Sequence, residues 1–89
     1  MPPKPLTSAQ IRAARALIRW NAEQLAEQSA VGVTTIRRAE LTASETKLTR
    51  VNDQAIRRVL ETAGVEFIDG DGGGGPGVRL RQPHLNKDE

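Results

Sequence analysis

WNAEQLAEQSAVGVTTIRRAEL, residues 20–41, reads as two short helices joined by a tight turn. Asn21 is a suitable N-cap, with a side-chain oxygen to accept from the orphan N–H groups of the first turn, and Gln24 three residues on completes a capping box. Leu25, Ala26 and Ser29 then share a face at helical spacing. After Val31-Gly32 a second run begins, in which Val33, Ile36 and Ala39 or Glu40 recur at three- and four-residue steps. Thr34, Arg37, Arg38 and Leu41 fall on its other faces, so two basic side chains project together from one helix. Ala26 and Ala30 are small enough for the helices to touch, and Ile36 is branched and apolar enough to seat the second helix.

In these residues the chain resembles the Cro/repressor-type (XRE-like) helix-turn-helix family. The pattern common in that family, L-A-x-x-x-G-V-S-x-x-T-I-x-x-x-E, aligns with LAEQSAVGVTTIRRAE. Leu25, Ala26, Val31, Thr35, Ile36 and Glu40 match. Ala30 stands where the family usually has Gly, Gly32 where a Ser or Thr cap is usual, and Ala22 where a contacting Gln is frequent. A left-handed backbone at Ala30 would cost on the order of 1 kcal/mol relative to Gly. The resemblance implies that the second helix lies in the DNA major groove. It carries base reading to Val33, Thr34 and Arg38, with Gly32 and Arg37 alongside, and it implies a structural ion pair between Arg15 and Glu40.

The chemistry of those positions suits the task. Arginine chelates guanine O6 and N7, valine packs on a thymine methyl, and threonine bonds a base or a phosphate. By helical register Val33, Thr34, Arg37 and Arg38 are the base-contacting set. Arg19, Asn21, Gly32, Lys47 and Arg50 are the expected phosphate contacts, placed at the helix N-termini and on the far side of the reading helix.

Upstream, Met1 to Leu6 holds three prolines and a lysine and is expected to be a flexible arm, either a frayed terminus or a strand following a DNA groove. Thr7 and Gln10 form a second capping box, and Ile11, Ala14, Leu17 and Ile18 line an apolar face. Trp20 could be a stacking platform, but in a chain this poor in aromatics it is expected to be the main core anchor. Downstream, 42–49 reads as a loop. A fourth helix follows, capped by Thr49 or Asn52, with Val51, Ala55, Ile56, Val59, Leu60 and Ala63 as its stripe and Gly64 as its stop. Arg57 and Arg58 are expected on a solvated face.

Beyond Gly64, VEFI and VRLR flank DGDGGGGPG and read as a β-hairpin with a long glycine-dominated loop. That loop lacks the Gly-Lys-Ser/Thr and the following helix of a phosphate cradle, and Asp69 and Asp71 would repel an anion. A lone hairpin is marginal in water. It is expected either to pack on the fourth helix or to pair with a second subunit, with Val65, Phe67, Ile68, Val78 and Leu80 as the dimerisation set. The expected fold is mainly α: residues 7–64 a four-helix, lambda-repressor-like helix-turn-helix domain, 65–81 the hairpin, 1–6 the arm and 82–89 a disordered tail.

Composition narrows the function. The 89 residues include one Trp, one Phe, no Tyr and no Cys, so the core is aliphatic and modest, and thiolate metal sites and cysteine nucleophiles are excluded. His84, the one histidine, lies in the tail, and the carboxylates form no paired constellation. Neither an enzyme, nor a metal site, nor a cofactor is expected. Residues 1–64 carry ten Lys/Arg against six Asp/Glu, and 65–89 carry three against five. The basic excess thus sits with the helices, as nucleic-acid binding requires. No apolar run approaches bilayer length, and MPPKPLTSAQ lacks a signal peptide's apolar core, so a cytoplasmic location without membrane association is expected. The expected function is a sequence-specific double-stranded DNA-binding transcriptional regulator, a small repressor or control protein acting as a homodimer on an inverted repeat. The alternative is a protein-interaction module of antiactivator or antitoxin type.

Overall fold

In the computed structural model, which describes residues 4–82, four helices precede a two-stranded antiparallel sheet. Each of the first two helices begins at a reciprocal cap. For α1 (Ser8–Ile18), Thr7 Oγ1 accepts from the Gln10 N–H at 3.1 Å and Gln10 Oε1 accepts from the Thr7 N–H at 2.9 Å. For α2 (Ala22–Ser29), Asn21 and Gln24 repeat the exchange at 2.7 and 2.8 Å. Such caps satisfy N–H groups that have no partner inside the helix.

Ala30 ends α2 in the left-handed conformation, φ 62°, and α3 (Val33–Glu40) begins after Val31 and Gly32. Thr49, the first of the two expected caps, accepts from the Asn52 N–H at 3.1 Å and starts α4 (Arg50–Thr62). Gly64, at φ 112°, turns the chain out of α4 into the sheet, a conformation a side chain would strain.

Strands β1 (Val65–Ile68) and β2 (Gly77–Leu80) pair with Val65 opposite Leu80 and Phe67 opposite Val78. The long loop between them closes on itself. Asp71 and Gly74 exchange backbone hydrogen bonds of 2.8 and 3.3 Å, and Asp71 Oδ1 accepts from the Gly73 N–H. A Cβ at Gly70 would lie 3.1 Å from the Pro76 ring, so the tight return of the loop is built on that glycine.

The core is aliphatic: Leu6, Ile11, Ala14, Leu25, Val31, Ile36, Ile56, Leu60 and Val65 are buried. Trp20 is only partly buried at its edge and is not the anchor that was expected. Its place is taken by the branched aliphatic side chains of Leu6, Ile11, Leu25, Ile36, Ile56, Leu60 and Val65. Val51, expected in the stripe of α4, is 74% exposed, because at 3.6 residues per turn it lies on roughly the opposite face of the helix from the buried Leu60. Leu17 sits at the margin of its face.

The N-terminal segment departs most from expectation. Lys4 to Leu6 are not a free arm: Leu6 is buried, its N–H donates to Asp53 Oδ1 at 3.0 Å, and Arg57 Nη2 donates to the Lys4 carbonyl at 2.7 Å. Thr7 bridges Glu45, and the Ser8 N–H donates to the Ser44 carbonyl at 2.9 Å. The segment therefore straps α4 and the 42–49 loop to the start of α1. Arg57 is correspondingly not on a solvated face, with its guanidinium 5.3 Å from the centre of the Phe67 ring. Arg58 is exposed. Residues 1–3 of the expected arm, and residues 83–89 of the expected tail with His84, lie outside the described residues.

The hairpin packs on α1 and α4. Side chains alternate across a strand, so Val65, Leu80, Phe67 and Val78 share one side. Val65 is fully covered there, and Phe67 and Val78 pack on the core. The apolar set expected to mate two subunits thus faces inward. Of its five members only Ile68, on the other side, is exposed. The outward side also carries the Glu66–Arg79 cross-strand pair, at 2.8 Å.

Candidate nucleic-acid interface

Helix α3 divides cleanly between inside and outside. Ile36, Ala39 and Glu40 are buried, while Thr34, Arg37, Arg38 and Leu41 are exposed. Glu40 fixes the helix from beneath through the Arg15 guanidinium, which bonds both carboxylate oxygens at 2.7 Å. The same guanidinium donates to the Trp20 carbonyl at 2.9 Å, and Arg12 donates to the Glu40 carbonyl at 3.0 Å. A bidentate pair fixes orientation as well as distance, so α1 holds the C-terminal turn of α3 in one pose. The bond to Glu40 holds the Arg15 pKa above its ordinary value, against the opposing effect of burial.

The four expected base contacts do not stand alike. Thr34 and Arg38 are exposed, and Arg38 has no ion-pair or hydrogen-bond partner among the described residues. Val33 is half-buried against the core, which leaves part of its surface outward. Arg37 is exposed but engaged: its Nη2 bonds Glu23 Oε2 in the first turn of α2. The Glu23 carboxyl is held below the usual carboxylate range, first by a backbone N–H at the helix N-terminus and then by Arg37. Glu23 and Glu27 rim a shallow cleft between α2 and α3, with Ala26, Val31 and Val33 among its lining.

All five expected phosphate contacts are exposed. Asn21 Oδ1 is used by the cap, which leaves its amide N–H groups as donors. Gly32, the N-cap of α3, makes no side-chain cap bond. A Cβ there would meet only Thr35 Oγ1, at 3.9 Å, so no steric demand calls for glycine and the first N–H groups of α3 are left open. Arg50 opens α4.

Arg19 and Lys47 share an unusual feature: both are left-handed, at φ 61° and 63°, as is Ala30. At Arg19 and Ala30 it is the left-handed close of α1 and α2, whereas Lys47 lies in the 42–49 loop. Two of the three such residues are long cations.

Sequence reasoning missed Glu23, Arg12 and Asp53, and it saw Gln10 only as a cap, not as a donor to the Ile68 and Gly77 carbonyls. Arg37 and Glu23 are fourteen residues apart on different helices, so no local spacing pairs them. Asp53, in the first turn of α4, reads as an ordinary helix-start carboxylate, and only the strap reveals it as the acceptor for Leu6. No family model, curated protein or solved structure matches this chain.

Proposed function

We propose that this chain is a sequence-specific double-stranded DNA-binding regulator of the Cro/repressor type, which reads the major groove with α3. The observation that carries the reading is the presentation of α3. Its inner face is locked by Ile36 and by the Arg15–Glu40 pair, while Thr34, Arg37 and Arg38 stand outward. A rigid helix offering a bidentate cation and a hydroxyl is what base-edge recognition requires. The exposed cations Arg19, Lys47 and Arg50, with Asn21 and Gly32, supply the phosphate clamp. One such module spans few base pairs, so a two-fold dimer on an inverted repeat is the working form. The apolar side of the hairpin is spent on the core, and the outer edges of β1 and β2 remain for a second copy. Among the described residues no helix is long and apolar enough to cross a membrane, and a cytoplasmic site of action accords with a DNA target.

A second reading, a module that binds another protein, is favoured by one observation. Leu41, at the end of α3, is 84% exposed, and Val51 is 74% exposed. Binding measured against salt separates the two. Arg38→Ala should relax preference at one base position, whereas Lys47→Ala should weaken binding to every sequence and lower the salt slope by about one unit. Identical behaviour of the two variants defeats the residue assignment. No retardation of genomic DNA fragments at low salt, where even nonspecific binding shows, leaves the protein-binding reading in its place.

A further inference from the structure

We propose that Glu23 is a positioning residue for sequence discrimination: it tethers the Arg37 guanidinium at the α2–α3 cleft so that Arg37 reads a base edge instead of a phosphate. This rests on the DNA-binding reading above.

The observations are local and independent of that reading. Glu23 belongs to the first turn of α2 and Arg37 to the last turn of α3, and the crossing of the two helices brings them into contact. Both side chains remain more than half exposed, at 60% and 55%, so the contact is not needed to fill or neutralise the interior. The Glu23 carboxyl, like any exposed glutamate, is ionised at neutral pH and stands as an anion beside Arg37.

Two consequences follow for Arg37. A guanidinium carries five N–H donors in a planar fork. The contact with Glu23 engages Nη2, which carries two N–H groups, so one Nη2 N–H remains to complete a fork with a neighbouring nitrogen while the tether restrains the guanidinium. A preorganised fork loses less freedom when it meets a base edge. A phosphate oxygen approaching the same guanidinium meets the Glu23 charge as well, and Glu27 stands on the same cleft. Like charges at such range repel, so the nonspecific use of Arg37 is disfavoured. Arg38, with no partner among the described residues, has no such tether. Helix α3 therefore carries one cation restrained toward readout and one free to adapt, and discrimination of this kind draws on a repulsive element as well as an attractive one.

The test uses the full chain, a duplex recovered by the wild-type protein from a randomised pool, and a scrambled duplex of the same composition. Affinities for both are measured across a salt series for wild type, Glu23→Gln, Arg37→Ala and the double variant. Glu23→Gln should tighten binding to the scrambled duplex, steepen the salt slope by about one unit as Arg37 turns to a phosphate, and cut the discrimination ratio by about tenfold. In the Arg37→Ala background the Glu23 substitution should change neither slope nor ratio. The proposal is overturned if Glu23→Gln leaves ratio and slope as in wild type, or if its effect persists without Arg37, which would make Glu23 a bulk charge. A failure of the DNA-binding reading is seen separately and earlier, as wild-type protein that retains no duplex at low salt.

Discussion

Ala30 shows how a single position trades backbone comfort for sequence. It ends α2 at φ 62°, and a Cβ there costs on the order of 1 kcal/mol that glycine would not pay. Ala30→Gly is therefore expected to raise stability by up to about 1 kcal/mol, a Tm increase on the order of 5 °C in a domain of this size. A lower Tm by calorimetry contradicts the left-handed assignment. Glu40 behaves in the opposite sense: 9% of its side chain is exposed and both oxygens are taken by Arg15. Glu40→Ala leaves a largely buried guanidinium unpaired and should cost about 3 kcal/mol in urea unfolding; a loss under about 1 kcal/mol marks the pair as ornamental to stability. The exposed carboxyls of Glu23 and Glu66 are both depressed, each by a backbone or side-chain hydrogen bond first and an arginine charge with it. A depressed carboxyl contributes stability that is complete above its unfolded pKa and fades as pH falls through its folded one. The raised Arg15 contributes below its unfolded value and loses it only at pH far above neutrality. Stability is thus expected to be flat from roughly pH 6 to 8 and to fall below the ordinary glutamate range near pH 4. A transition near pH 6.5 in a pH-dependent melting series would contradict these signs.

At the scale of elements, the capped helices were legible because their signals are local. Thr7-x-x-Gln10 and Asn21-x-x-Gln24 each make both expected bonds, and Gly64 ends α4 as its position suggests. What was not legible depends on contacts distant in sequence. Pro-rich composition spoke for a loose N-terminus, yet the burial of Leu6 and the Asp53 acceptor hold Lys4–Leu6 down. The hairpin's apolar residues were visible, but their direction was not, since alternation says that one side is apolar without saying what that side meets. Gln10 settles it: after capping α1, its Nε2 donates to the Ile68 and Gly77 carbonyls at 3.1 and 3.0 Å, pinning the loop end of the hairpin to α1. Gln10→Ala should cost about 2 kcal/mol by orphaning those groups and should speed amide hydrogen exchange in β1 and β2 more than in α2 and α3. Uniform acceleration would mean the hairpin is not held separately. Leu6→Ala should cost about 2–4 kcal/mol, whereas a truly free arm would tolerate it within a few tenths.

For the whole molecule, the aliphatic core and the clamp at Glu40 serve one end, an outward α3 whose cations are differently constrained. The overall charge balance predicted a basic helical part, but close to α3 it is nearly neutral: Glu23 and Glu27 offset Arg37 and Arg38. Under the proposed DNA-binding function, attraction to the duplex falls chiefly to cations beyond α2 and α3, such as Arg19, Lys47 and Arg50, and specificity to Thr34, Arg37 and Arg38. That division was hidden in the sequence because Arg15 and Glu23 reach their partners only through the packing of separate helices. The most direct test is to incubate the purified protein with fragmented DNA, recover what it retains and sequence it. The account predicts enrichment of an inverted repeat with half-sites about 34 Å, one helical turn, apart, weakened at one base position by Arg38→Ala. Retained fragments indistinguishable from the input, or a repeat unaffected by Arg38→Ala, would contradict it.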